Sequence, residues 1–257
     1  MVKPTPKGSV KSARKRSPNR VFYIALAVLA VAGLATLGYV ASRGSERQVV
    51  TLDPNLPPVQ SEGYVIGNAS APVEVLEFAD FECPACAQFA TLHEPDVRTR
   101  LVNTGQIRLR FLDFPLVEIG HRNSPTASLA AACANEQGKF WEMHDAIFAT
   151  QDKWATQVTS NPRGVIDPLA SQVGLDVGRY NECMNSQRYV AHIQAHRQAA
   201  QRYRVQSTPS FVIGGRVIAG SLSYDEFKRR VDEARAAAPA PATPGAAAPQ
   251  GAPPPSR

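Results

Sequence analysis

Residues 73–89, VEVLEFADFECPACAQF, constrain the fold more than any other stretch of the chain. A run of β-formers, Val73 to Phe78, leads into Cys83-Pro84-Ala85-Cys86, and a helical pattern follows. The chain must therefore hold a strand whose end delivers two cysteines to the start of a helix. There the backbone N–H groups lack intrahelical partners and the helix dipole is positive, so an anion on the first sulfur is favoured. Pro84 suits the first helical turn, where an absent N–H is not missed. The thiolate is the attacking form in thiol–disulfide exchange, and a site that holds Cys83 as an anion makes it reactive near neutral pH.

Glu77 lies between Leu76 and Phe78 in the apolar strand, six residues before Cys83. Pointing inward, its carboxyl would be desolvated, raised in pKa, and able to exchange a proton with the inner sulfur of Cys86. Pointing outward, it would be an edge-strand glutamate in water. Strand alternation alone leaves both orientations open.

The net charge of +6 is not spread over the chain. Residues 1–20 hold Lys3, Lys7, Lys11, Arg14, Lys15, Arg16 and Arg20 with no acid, which leaves the remainder at −1. No basic face is left for nucleic acid. Residues 21–42 then run without a charge between Arg20 and Arg43. That is long enough to cross a bilayer, which takes about 20 helical residues. A cleaved signal would carry an apolar region of about 7–15 residues and an A-x-A site, for which Val40-Ala41-Ser42 is a weak substitute. The expectation is an uncleaved single-pass anchor, N-terminus cytoplasmic, with everything after Ser42 extracytoplasmic. Outside the membrane disulfides persist. Of the three pairings that four cysteines allow, Cys83–Cys86 is local, which leaves Cys133 with Cys183.

In chain order, 1–20 reads as a basic cytoplasmic tail, 21–42 as a transmembrane helix, and 43–62, with Pro54, Pro57 and Pro58, as an extended linker. The folded region, 63–235, opens with the strand at Val73. A helix covers about 85–103 with a kink or break at Pro95, and 107–114 alternates as a second strand. From Ser124 to about Arg204 the pattern is helical nearly throughout. FVI and RVI flank Gly214-Gly215, a hairpin signal, and Ser223 with Glu226 forms a capping box for a last helix. Residues 236–257, rich in Ala and Pro, read as a disordered tail. The block at about 120–204 is far longer than a crossover between strands needs, so it must be a helical subdomain grafted into a small α/β unit.

FECPACAQF, FLDFPL, EQGKFWEMHDAIF and STPSFVIGGRVIAG, in this order, resemble the membrane-anchored, DsbA-like branch of the thioredoxin superfamily over about 63–235. The resemblance implies an α/β thioredoxin fold with an inserted all-helical subdomain, preceded by one transmembrane helix. It also implies that Cys83 is the surface nucleophile, Cys86 the buried resolving thiol and Glu77 the buried acid. Thr208-Pro209 matches the cis-proline pair that faces the active-site disulfide and can bind an extended substrate chain. An extra structural pair such as Cys133–Cys183 occurs in some members. Two departures stand out: Ser207 where Gly is often found before the Thr-Pro pair, and Pro-Ala rather than Pro-His inside the C-x-x-C. Without that histidine a less extreme oxidant is expected.

No cofactor or metal is expected. His192 and His196 lie four apart on a helix, but no third ligand follows at ligand spacing, and they read as facing water. His144 reads as packing beside Trp141. The expected activity is oxidation of cysteine pairs in exported proteins by an anchored thiol–disulfide oxidoreductase. A membrane reoxidant of the DsbB or vitamin K epoxide reductase type is implied by the resemblance. The rivals are a reductase or isomerase, for example in cytochrome c maturation, and a non-catalytic thioredoxin-like binding module.

Overall fold

The computed structural model describes residues 19–42, 49–52 and 63–237. The basic tail before residue 19, most of 43–62 and the Ala/Pro-rich stretch from 238 onward lie outside the described residues. The chain divides into two compact units, Met1–Glu46 and Arg47–Arg257. In the first, helix α1 (Asn19–Ser42) is long and apolar enough to cross a membrane, with a mean hydropathy of 1.7 over Asn19–Thr36. Val21, Phe22, Leu29 and Leu34 lie exposed on it.

The second unit is built on six strands: β1 (Val49–Thr51), β2 (Tyr64–Ile66), β3 (Val73–Ala79), β4 (Ile107–Asp113), β5 (Ser210–Ile213) and β6 (Arg216–Ala219). They lie in the order β1-β6-β5-β3-β4-β2, with β3 and β4 parallel and every other pair antiparallel. The centre of the sheet is therefore the strand that runs into the C-x-x-C. Two short strands fall where the sequence signals none. β1 lies inside the stretch read as a linker and pairs with β6, Val49 opposite Ile218 and Thr51 opposite Arg216. β2 precedes β3 and pairs with β4. Three residues are too few for a pattern of alternation, so only pairing reveals them.

β3 leads into α2 (Pro84–Gln88) and α3 (Glu94–Val97), which form one helix with wide π turns at Phe89–His93 and Arg98–Val102. Pro95 neither breaks nor ends it. The wide turn before it bonds Glu94 N–H to Phe89 O, five residues back, and Pro95 enters as the start of a fresh α turn. The helical block is α4 (Ser124–Asn135), α5 (Phe140–Ala149), α6 (Gln151–Trp154), α7 (Arg163–Gln172), α8 (Val177–Ser186) and α9 (Val190–Arg202). It fills the connection between β4 and β5, giving a thioredoxin/DsbA fold with a helical insertion. Last comes α10 (Tyr224–Ala237), whose first turn is capped by Ser223 Oγ accepting from Glu226 N–H at 3.3 Å.

One sheet face packs Val73, Val75, Leu109 and Phe211 against Phe89, Val97 and Leu101 of the α2–α3 helix and Phe227 of α10. The other packs Leu76, Phe78, Leu112 and Val212 against Ala199 and Ala200 of α9. Inside the block, α4 is nearly all small residues, and Ala127 through Ala134 are buried. Cys133 of α4 and Cys183 of α8 are joined by a disulfide. Contrary to the reading of two water-facing histidines, His196 is fully buried: its Nδ1 lies 3.0 Å from Asp113 Oδ2 and 3.2 Å from Asp113 N. Helical spacing puts two residues on one face without saying what covers it, and here β4 covers it.

Candidate active site

Cys83 is the N-cap of α2, with Pro84 in the first turn, and its carbonyl accepts from Cys86 N–H and Ala87 N–H at 3.1 Å each. Both cysteines are free thiols. Cys83 keeps 8% exposure where Cys86 has none, so even the outer thiol is largely covered. Part of that cover is the turn before β5. The Thr208–Pro209 bond is cis, and the neutral Cys83 thiol donates to Thr208 O at 3.4 Å. Residues 125 apart in sequence thus meet because β3 and β5 are neighbours, with Phe78 opposite Ser210.

The two sulfurs differ in electrostatics as well as burial. The Cys83 thiol is lowered to about 6, first because Cys86 donates a hydrogen bond to it. Burial opposes this, while the Thr208 side chain and the N–H groups of Cys86 and Ala85 support the thiolate. Cys86 is pushed well up, chiefly by burial, then by the same hydrogen bond and charge at Cys83, and lastly by Glu77. The pair is therefore an outer thiolate beside an inner thiol.

Glu77 points inward. It shares the β3 face of Val73, Val75 and Ala79, opposite Phe111 on one side and Phe211 on the other, and is fully buried. Among the described residues neither carboxylate oxygen has a hydrogen-bond partner. Burial, then the nearby Glu94, raise its pKa well above the carboxylate range, while Arg98 pulls the other way. The structure brings Cys83, Cys86, Glu77, Thr208 and Pro209 to one end of β3. Cys133 and Cys183 lie in the helical block, outside that group.

Sequence reasoning passed over the acids that hold the turn. Asp80 is buried and accepts from Glu82 N–H at 2.7 Å, Leu116 N–H at 2.8 Å and the Ser124 hydroxyl, and its Oδ2 lies 2.7 Å from His121 Nδ1. That contact raises the His121 pKa. Glu82 is buried too and accepts from Asn123 N–H and Ser124 N–H, both at 2.8 Å, and from Thr156 N–H. Gln151 Nε2 donates to Phe81 O at 2.6 Å and Cys83 O at 3.1 Å. Two carboxylates and one amide thus fasten the C-x-x-C turn to the insertion, using N–H groups that loops would otherwise bury unpaired. The available signal was the unusual density of acids in ADFEC, next to an apolar strand. Among the described residues no cluster of three or more His, Cys, Asp or Glu side chains could hold a metal ion.

This fold has counterparts among known proteins. A family model described as thioredoxin matches residues 60–233. The Na(+)/H(+) antiporter NhaA 3 of Salinispora tropica is 35% identical over 198 residues, which cover 77% of this chain and 28% of that protein. The chain spans only about a quarter of the length of the antiporters it matches. Disulfide bond formation protein D of Bacillus subtilis is 24% identical over 174 residues, covering 66% of this chain and 75% of that one. The crystal structure of Wolbachia pipientis alpha-DsbA1 superposes with a TM-score of 0.61 at 21% identity, over 70% of this chain and 94% of that chain.

Proposed function

We propose that this chain, which belongs to the thioredoxin family and is DsbA-like within it, is a thiol–disulfide oxidoreductase that oxidises cysteine pairs of exported proteins with its Cys83–Cys86 disulfide. The observation that carries the direction is the asymmetry of the pair: an outer thiol lowered to about 6 and an inner one raised. A stabilised Cys83 thiolate stabilises the reduced form, which makes the disulfide the better oxidant.

A substrate thiolate attacks Cys83 Sγ, the Cys83–Cys86 bond breaks, and Cys86 leaves with the electron pair and takes up a proton. A second substrate thiolate then attacks the substrate sulfur of the mixed disulfide. The substrate disulfide forms and Cys83 leaves as its thiolate. Glu77, buried and without a hydrogen-bond partner, supports a role as the acid that protonates Cys86. Thr208 O lies 3.4 Å from Cys83 Sγ, so the Thr208 backbone can pair with an extended substrate segment beside the sulfur. Seven positive charges before an apolar span support a cytoplasmic N-terminus and an extracytoplasmic catalytic unit. A membrane oxidase of the DsbB or vitamin K epoxide reductase type would return the dithiol to its disulfide.

The test is stoichiometric oxidation of a reduced, unfolded cysteine-pair protein by the oxidised chain, run beside an insulin-reduction assay. Fast oxidation with weak insulin reduction is expected. Cys86→Ala given a disulfide-bonded substrate should accumulate mixed disulfides on Cys83, because its thiolate attacks the substrate disulfide, one substrate sulfur leaves as a thiolate, and no resolving thiol follows. Fast insulin reduction with no net oxidation would make the protein a reductase.

A further inference from the structure

A second buried acid lies behind Glu77. The inward stripe of the α2–α3 helix is Cys86, Phe89, Ala90, Glu94, Val97 and Leu101, so Glu94 faces the same sheet face from which Glu77 projects. Glu94 is fully buried. Its Oε1 is held by Arg98 Nε at 2.9 Å, and Arg98 is itself fixed by Asp145 at 2.8 Å and by stacking over the Trp141 ring at 4.5 Å. Its Oε2 has no hydrogen-bond partner. Facing it at 3.9 Å, about 1 Å beyond a hydrogen bond, is Nε2 of the fully buried His144, also unpartnered. The other nitrogen of that ring, Nδ1, lies 2.8 Å from Asp145 Oδ1 and 3.2 Å from Arg98 Nη2, and the Asp145 side chain is 51% exposed.

Four buried polar atoms without partners among the described residues, both oxygens of Glu77, Oε2 of Glu94 and Nε2 of His144, therefore belong to three side chains of one region. Buried polar groups are almost always satisfied, and a cluster of exceptions calls for a functional reason. Glu77 faces Cys86 from α2, Glu94 and Arg98 from the next turns of the same helix, and only Phe111 and Phe211 from the flanking strands. One line of titratable groups leading from it toward water is Glu94, His144 and Asp145.

We propose that Glu94 and His144 are positioning residues that act through Glu77, forming with Asp145 the route by which the proton exchanged at Cys86 reaches solvent. This rests on the reading of Cys83–Cys86 as the reacting pair. When Cys86 leaves as a thiolate it takes a proton from Glu77, and the Glu77 carboxylate recovers one through Glu94 and His144. Imidazole suits the step because it accepts at one nitrogen and donates from the other. The Glu94 charge also holds Glu77 protonated, against Arg98. Removing it leaves Arg98 to favour the Glu77 anion, and Glu77 then loses its proton at a lower pH.

The experiment is single-turnover reduction of the oxidised full chain in detergent by dithiothreitol, followed by tryptophan fluorescence from pH 5 to 9.5. Wild type is compared with Glu94→Gln and Asp145→Asn. The Glu94→Gln rate relative to wild type should fall at least tenfold between pH 6 and pH 9, and the Asp145→Asn rate should become dependent on buffer concentration. A merely structural role would lower the melting temperature or slow every pH by one factor. A flat ratio for a folded Glu94→Gln overturns the inference; if that variant does not fold, buffer-independent rates in Asp145→Asn overturn it. A wild-type disulfide that dithiothreitol cannot open at Cys83–Cys86 overturns the exchange reading, and this inference with it.

Discussion

Glu77 and Cys83 sit at opposite ends of one electrostatic arrangement, and each leaves a signature in stability. The folded pKa of Cys83, about 6, is below the unfolded thiol value of about 8.5. Its contribution to the reduced form is therefore complete above the unfolded value and is lost as pH falls through 6. The oxidised form lacks it. The excess melting temperature of the reduced over the oxidised protein should therefore grow from pH 5 to pH 9, readable by calorimetry. Glu77 has the opposite sign. Its folded pKa is raised, so above the unfolded carboxylate range it costs stability. Glu77→Leu should stabilise the protein by about 1–3 kcal/mol in urea unfolding, by removing two unsatisfied oxygens, while slowing exchange. A less stable Glu77→Leu would mean that the carboxyl has partners in the fold. At this scale the sequence was informative where residues are adjacent. Cys83, Pro84 and Cys86 announce themselves, and so does an acid in an apolar strand. It was silent on Glu94, Asp80 and Glu82, because an acid in a helix or turn is ordinary until its partners are known. It misplaced His196, because burial on a helix depends on what packs there.

Among the elements, β3 and its helix were legible because strand alternation, proline at the first turn and the cysteine pair all point the same way. The hairpin and capped last helix were legible for the same reason, with Gly214 and Gly215 both at positive φ, 56° and 74°, as a tight two-residue turn demands. β1 and β2 were not, being three residues each and defined by partners far along the chain. Pro95 does not break the helix, because a wide turn absorbs the proline there. Inside the block, the Cys133–Cys183 bond ties α4 to α8 across 50 residues of chain. Replacing both with Ala should cost about 4 kcal/mol in the chain-entropy model. Exchange at Cys83 should persist, since neither residue is in the group around that thiol. Unchanged urea stability in the double variant would show that the bond constrains little.

For the whole molecule, the proposed reading gives the two units separate tasks: α1, long and apolar enough to cross a membrane, would anchor the chain, and the sheet with its insertion would carry the chemistry. Protease added to intact spheroplasts should digest the catalytic unit and spare the N-terminal tail. A soluble domain processed after Ala41 or Ser42 would show a cleaved leader instead. Such a module gains direction from the poise of one bond, and the poise follows from the lowered outer thiol, the buried inner thiol and the acid behind it. The most direct measurement is the reduction potential of Cys83–Cys86, by equilibration of the full chain with glutathione buffers and counting of alkylated thiols by mass spectrometry. A potential more oxidising than about −180 mV, that of disulfide isomerase, is expected, and one near the −270 mV or so of thioredoxin would contradict the oxidase reading.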